Sequence, residues 1–404
     1  MNDTRCDRAP SVTRSSGLRF LLYGHDSWGL GHLRRNLNVA TALTSTFPAS
    51  DALVVTGSPC STHFSIPSNV DLVKLPAVTK GVEGRYEPRT LSCSLEGLVE
   101  LRRRILLETF RAFRPHLVIV DHQVAGFKGE VLDLLREAKA SGVRTILGLR
   151  DIIDSPAAVA RDWSSPGCRW ALCKGYDRVC VYGDETVFDS RRHYPLLSRL
   201  GDRLEFTGYV VRPEKPRRLK PLPCLRPRVL VTTGGGEDGA GRIATYLEAL
   251  ALGRSRWDST ILTGPLLSAR EARGIKRRAR PLGVVDVRRF HADLPRLLQD
   301  ADAVVSMAGY NTSAEILQSG KPAVFLPRTV PRREQEIRAG HLARLGLAAS
   351  LVDPKPTELL RSVEKALTKK LLPESRPRLN GRERMCEIVH KVLSPAPRRL
   401  SVSA

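Results

Sequence analysis

Two histidines, an aspartate and three glycines fall within thirteen residues, "YGHDSWGLGHLRR" (Tyr23 to Arg35), directly behind the apolar run "LRFLL". Imidazole titrates near neutrality, so His32 or His25 could take the proton of a hydroxyl as that hydroxyl attacks. Glycines such as Gly31 let backbone N–H groups approach an anion, and a following helix N-terminus favours its charge. This segment therefore offers a proton acceptor beside an anion seat, with His32 first and His25, next to Asp26, second.

Other loops carry further candidates. "VIVDHQVAG" (118–126) and "LGLRDIIDSP" (148–157) place Asp121, His122, Arg150 and Asp151 at the ends of two apolar runs. Asp121 competes with His32 as a base. Arg150 and Asp151 could line a pocket, or could pair only to fix their loop. In the second half, Gly234, Gly236 and Gly239 of "VLVTTGGGEDGAG" fit G-x-G-x-x-G. A nicotinamide cofactor would want an acid at the end of the next strand, but that run ends "LTGP". There is no G-K-[ST], so this is not a Walker loop, and Asp238 reads as a helix cap. "MAGYNTSAEILQSGKPAVFLPRTVPRREQEIRAGHL" (307–342) is the most specific stretch. Gly309 reads as a turn, and Thr312-x-x-Glu315 as a capping box. A carboxylate one turn into a helix could equally accept both hydroxyls of a ribose. Pro327, Arg328, Glu334 and Gln335 open a further helix, where they could read sugar hydroxyls. The "DAD" at 300–302 sits at a helix end, and its position suits capping or solvent better than a metal.

These loops need elements to hold them. Short apolar runs alternate with helical patterns: 18–24, 51–57, 116–122, 143–149 and 177–183, with helices over 33–46, 94–113 and 129–141. The alternation stops in "VVRPEKPRRLKPLPCLRPRV" (210–229) and resumes at 228–236, 259–265, 283–290, 302–309, 321–328 and 347–353. Such a pattern implies βαβ units and parallel sheets. The organisation expected is a disordered lead at 1–17, an acceptor-side domain at 18–211 and a proline-rich basic linker at 212–227. A donor domain at 228–373, a C-terminal helix at 374–393 and a tail at 394–404 follow. Open α/β sheets bind ligands at the carboxyl ends of their strands, so the loops named above would face one cleft.

Bulk properties narrow the class. The 404 residues hold 42% hydrophobic and 26% charged side chains, the composition of a globular protein, and no run is long and apolar enough to span a membrane. No signal peptide is visible, which points to the cytoplasm. The eight cysteines form no C-x-x-C pair, so free thiols and no metal are expected. Net charge is +23, divided as +6 over residues 1–200 (27 Lys and Arg against 21 Asp and Glu) and +17 over the rest (38 against 21). That field attracts anionic membrane or phosphorylated substrates. Aromatic content of 5% and the lack of a basic motif interleaved with aromatics argue against nucleic acid.

The stretch 302–346, together with the glycine loop, resembles the donor site of GT-B glycosyltransferases, and most of all the relatives of the lipid-linked peptidoglycan N-acetylglucosaminyltransferase (glycosyltransferase family 28). The resemblance runs over roughly 18–390. It implies an α/β fold of two doubly wound Rossmann-like domains facing across a cleft. It implies transfer of a hexose or N-acetylhexosamine from a UDP-sugar to a hydroxyl acceptor, inverting and independent of metal or cofactor. Gly235 and Gly236, with Gly234, would then contact the pyrophosphate, and Glu315 the ribose. Gln335 and Glu334 would contact the sugar, and Phe290 and His291 the uracil, with Gly309, Asn311 and Thr312 completing the donor site. "GLGHLRR" matches the family's first glycine loop, with His32 at the motif histidine and Gly31, His122, Arg150 and Asp151 on the acceptor side. The acceptor would be lipid-linked or a secondary metabolite, met at an anionic membrane surface on its inner, cytoplasmic face. "GLGH" also resembles the UDP-sugar hydrolase of pseudaminic acid biosynthesis, so hydrolysis is the alternative, and non-catalytic nucleotide-sugar binding a third reading.

Overall fold

The computed structural model describes residues 17–25, 31–59, 66–80, 85–213, 226–236, 238–253, 256–291, 293–369 and 376–394. Most of the expected linker, the lead and the tail lie outside these.

The first sheet is built from β1 (Arg19–Gly24), β2 (Asp51–Thr56) and β3 (Val70–Lys74). After a small antiparallel hairpin, β4 (Val78–Lys80) with β5 (Tyr86–Pro88), come β6 (Leu117–Asp121), β7 (Arg144–Arg150), β8 (Arg178–Tyr182) and β9 (Leu204–Phe206). Spatial order is β3-β2-β1-β6-β7-β8-β9, with every pair parallel. β6 is buried along its whole length and β1 along all but its first residue, as strands covered on both faces must be. The order reverses between β1 and β6, and the register sets Gly24 beside Asp121. The loop after β1 and the carboxylate ending β6 therefore share one edge, the crevice where such sheets bind ligands.

The second sheet repeats this plan with β10 (Arg228–Thr232), β11 (Asp258–Leu262), β12 (Val285–Arg288), β13 (Ala303–Ser306), β14 (Ala323–Phe325) and β15 (Ala349–Ser350), in the order β12-β11-β10-β13-β14-β15. Its reversal falls between β10 and β13, so the glycine loop after β10 and the Tyr310–Ser319 helix after β13 meet at the crevice. The alternation read from sequence is present in both halves. β3, the hairpin and β9 escaped it because they are short or only partly apolar.

The halves are joined closely. Apolar side chains of both enter one core, with Leu33, Leu37 and Ala40 beside Tyr310, Ala314 and Leu317. The helix Gly381–Leu393 returns to the first domain and packs on the helix Gly31–Thr46, burying Met385, Cys386, Ile388 and Val389. Val210 N–H donates to the Tyr310 hydroxyl at 3.2 Å, and Gln318 donates to the Arg212 carbonyl at 2.8 Å.

Candidate functional site

The first-domain wall starts from the Gly24–Asp121 register. His32 and Arg35 stand three apart on one helix and so share a face. That face meets Asp121. Its Oδ2 lies 2.5 Å from His32 Nδ1, while Arg35 donates to both carboxylate oxygens at 2.7 and 2.6 Å. Arg35 also approaches His32 Nδ1 at 3.2 Å, but a guanidinium only donates, and the closer carboxylate only accepts. The Nδ1 proton therefore points at Asp121, and Nε2 carries the free lone pair. Burial pushes the Asp121 carboxyl up, but Arg35 and His32 outweigh it and hold it near about 2. It stays an anion and is a poor base.

His25 and His122 flank this pair, their ring centroids 4.6 and 5.5 Å from that of His32. Burial first, with His32 and Arg102 beside His25 and Arg150 beside His122, keeps both imidazoles well below their ordinary value, so both are neutral. His122 adopts the left-handed region at φ 68° and accepts from Arg150 Nη2 at 2.7 Å. Burial lowers the Arg150 guanidinium to about 10, with Glu334 across the cleft opposing the shift. Asp26 lies outside the described residues. Asp151 does not pair with Arg150. It turns inward to Arg338 of the second domain in a bidentate pair at 2.9 and 2.6 Å, and also accepts from the Tyr209 hydroxyl. Asp151 is therefore an interdomain brace, and the expected place on the acceptor pocket wall is corrected.

On the facing wall, Gly234 and Gly236 both have positive φ, 66° and 94°. A β-carbon on Gly236 would fall 2.1 Å from the Thr263 carbonyl oxygen, so this glycine is required for packing against the end of β11. On Gly234 it would meet only Thr312 Oγ1, at 3.7 Å, and on Gly235 only Leu266, at 3.5 Å. Gly31 is close by, for Asn311 donates to its carbonyl at 3.0 Å. Two helix N-termini, Gly31–Thr46 and Tyr310–Ser319, thus converge with the glycine loop on one spot, which suits an anion. Glu315 is 4% exposed and is bonded by Arg34 from across the cleft. Glu334 is bonded by Arg328 at 2.8 Å, and Gln335 Oε1 accepts from Arg328 N–H. Burial raises the Glu334 carboxyl, but Arg150 and Arg328 hold it below the usual range. Phe290 is 45% exposed at the end of β12, and His291 Nδ1 accepts from Asp293 N–H at 3.1 Å.

Two local expectations differ from the structure. The helix begins at Gly309, its N-cap, which puts Thr312 inside the first turn. There is no capping box with Glu315. The left-handed residue at the turn before it is Ala308 (φ 60°), and its carbonyl is held by Arg338 at 2.8 Å. Asp238 caps nothing, because it accepts from Arg328 at 2.7 Å while Gly239 caps the helix Ala240–Leu252. Asp302 accepts from Arg228 N–H, and no three His, Cys, Asp or Glu side chains among the described residues are grouped to hold a metal. Arg34 and Arg35 are functional side chains whose roles the sequence does not announce. The i, i+3 spacing of His32 and Arg35 was the available signal for one of them. Nothing in the chain order announces that Arg338 meets Asp151.

Fold and site together define the GT-B class of glycosyltransferase folds. The solved glycosyltransferase of kitacinnamycin aligns with a TM-score of 0.63 at 15% identity, covering 94% of this chain and all of that one. MurG of Acinetobacter baumannii aligns with a TM-score of 0.60 at 13% identity, over 93% of this chain and 99% of its own. Residues 251–392 match the family described as Glycosyltransferase family 28 C-terminal domain, so the second half of the chain is similar to that domain. A UDP-N-acetylglucosamine–N-acetylmuramyl-(pentapeptide) pyrophosphoryl-undecaprenol N-acetylglucosamine transferase of Bacillus cereus is 30% identical over 146 residues, 35% of this chain. That match spans 40% of the relative's length. The enzyme of the same name from Solidesulfovibrio magneticus is 28% identical over 347 residues, 80% of this chain and 81% of its own.

Proposed function

We propose that the protein moves a hexose or N-acetylhexosamine from a nucleoside diphosphate sugar, UDP-linked, to a hydroxyl acceptor. The observation that carries this reading is the His32–Asp121–Arg35 set, fixed on one wall and facing a glycine loop and two buried carboxylates on the other. In this reading the diphosphate sits where Gly234, Gly235 and the helix start at Gly31 converge, and Glu315 holds the ribose. Glu334 and Gln335 read the sugar, and Phe290 and His291 lie beside the base. His32 Nε2 takes the acceptor proton as the new C–O bond forms. Asp121 orients the ring and stabilises the imidazolium, and Arg35 keeps Asp121 ionised. The bond from the anomeric carbon to the diphosphate breaks with its electron pair on the departing oxygen, whose charge the helix ends and N–H groups receive. With His32 as its one base and no carboxylate assigned as nucleophile, this reading is a single displacement with inversion. His25, His122 and Arg150 form the acceptor-side rim.

A lipid-linked acceptor at an anionic membrane face is supported by the +17 of residues 201–404 and by the acceptor named for the related transferases. Among the described residues no helix is long and apolar enough to cross a membrane. The reading is of attachment to the surface of the cytoplasmic face through that positive charge. A panel of nucleotide sugars tests the proposal, with nucleotide release measured with and without candidate acceptor extracts. Release that needs an acceptor supports transfer, and brisk release in buffer alone replaces it with hydrolysis. No release and no nucleotide binding would remove both.

A further inference from the structure

Arg34 and Arg35 are adjacent, yet they serve different domains. Arg35 makes the bidentate pair with Asp121, and two further buried pairs, Arg338 with Asp151 and Arg102 with Glu130, are built the same way. Arg34 reaches across the cleft to Glu315 through one nitrogen and one oxygen only. Two further groups of that pair, Arg34 Nε and Glu315 Oε2, are buried without a hydrogen-bond partner. A carboxylate has about four lone-pair sites and a guanidinium five N–H donors, so both partners of this pair are left underused in a water-poor place. Arg212 adds a second cation here. Burial and then the charge of Arg34 depress its guanidinium, and Glu315 opposes the shift. The Arg34 backbone stands one turn from Gly31, whose carbonyl accepts from Asn311, and the neighbouring Thr312 lies against Gly234 of the glycine loop.

We propose that Arg34 is a place-holder: it occupies Glu315 while the nucleotide site is empty, and becomes a phosphate ligand when the site is filled. This rests on the reading of Glu315 as the ribose carboxylate. The two ribose hydroxyls satisfy both Glu315 oxygens and displace the guanidinium. Arg34 then needs an anion, and the diphosphate lies within one helical turn of its backbone. There it binds phosphate oxygens and receives the charge left on the diphosphate as the sugar departs. Nucleoside and phosphate binding are thereby coupled through one side chain. A nucleoside alone must expel Arg34 with nothing to receive it, whereas a nucleoside diphosphate supplies the new partner.

Calorimetry on the full chain with uridine and with UDP tests this, in the wild type, Arg34→Ala and Arg34→Lys, each checked for its melting transition. Arg34→Ala is expected to keep or raise uridine affinity and to lower UDP affinity by roughly 10-fold, the scale of one hydrogen bond to a charged group. The preference for UDP over uridine then shrinks by at least that factor, and Arg34→Lys restores part of it. An equal loss for both ligands, or an unchanged preference, overturns the place-holder. If Arg34→Ala does not fold, the lysine variant carries the same comparison, because it keeps the charge and loses the fork. If wild-type protein binds neither ligand, the nucleotide reading itself falls. If it binds UDP and the preference does not move, only the place-holder falls.

Discussion

The two walls of the cleft are built on the same topology but finished differently. On the first, Asp121 has both oxygens bonded, by Arg35 twice and by His32, so its geometry is set before any ligand arrives. On the second, Glu315 and Glu334 each hold one guanidinium and each keep one buried oxygen, Oε2, without a partner. Buried polar groups are normally satisfied, and His25 Nδ1, His122 Nδ1 and Arg150 Nε of the first wall are also left without a partner, so the informative contrast is between the carboxylates alone. It suggests that the first wall performs chemistry that needs a fixed proton acceptor, and that the second awaits hydroxyl donors from a ligand. Arg328 and Arg34 hold the waiting carboxylates in the meantime.

The largest effect should come from the finished wall. His32→Ala should lower sugar transfer by roughly 10²–10⁴-fold, the usual worth of a general base, while UDP affinity by calorimetry stays within a few-fold. Full activity in that variant would break the contrast, since the fixed wall would then hold no chemistry. A smaller effect belongs to the waiting wall. Glu315→Ala should weaken UDP by about 1–3 kcal/mol, roughly 5- to 150-fold, with a lowered melting temperature as well, because it leaves Arg34 beside Arg212 without its carboxylate. A large loss of stability with unchanged affinity would instead make Glu315 a structural brace like Asp151.

The smallest effect is on acid stability. His25 and His122 are held well below 6.5 when folded, so the unfolded chain binds their protons first as pH falls. Their contribution is complete above about pH 6.5 and is lost below it, with a slope of at most about 1.4 kcal/mol per pH unit for each histidine. Asp121 acts in a separate window: its contribution is complete above about pH 4 and is lost as pH falls toward about 2. Urea unfolding at pH 7.5 and 5.5 should show lower stability at 5.5, with a shallower dependence in His25→Gln. An equal dependence in that variant would show that His25 does not help to set it.

Much of this architecture was legible in the chain. Apolar runs alternating with helical segments announce parallel sheets, and loops at strand ends collect His32, Asp121, Gly234 and Glu315. Local identity and spacing decide such features, so sequence carries them. What stayed hidden depends on the packing of one half against the other. Asp151 is next to Arg150 in the chain, yet its partner is Arg338, 187 residues away. Thr312 and Glu315 have capping-box spacing, but the helix starts three residues earlier because Gly309 already supplies the extended N-cap backbone. Gly236 fits a phosphate-loop pattern, and only the Thr263 carbonyl shows that it is also needed for packing.

The last helix, Gly381–Leu393, has a consequence for how the chain reaches this state. Met385, Cys386, Ile388 and Val389 are at most 6% exposed and share a core with Leu33, Leu37 and Ala40. The first domain to be synthesised thus borrows its final layer from a segment that follows the entire second domain. Its surface under that helix stays open until the ribosome has passed both halves, and loop closure over more than 300 residues adds to the delay. An interval of exposed apolar surface is therefore built into the biogenesis of this protein.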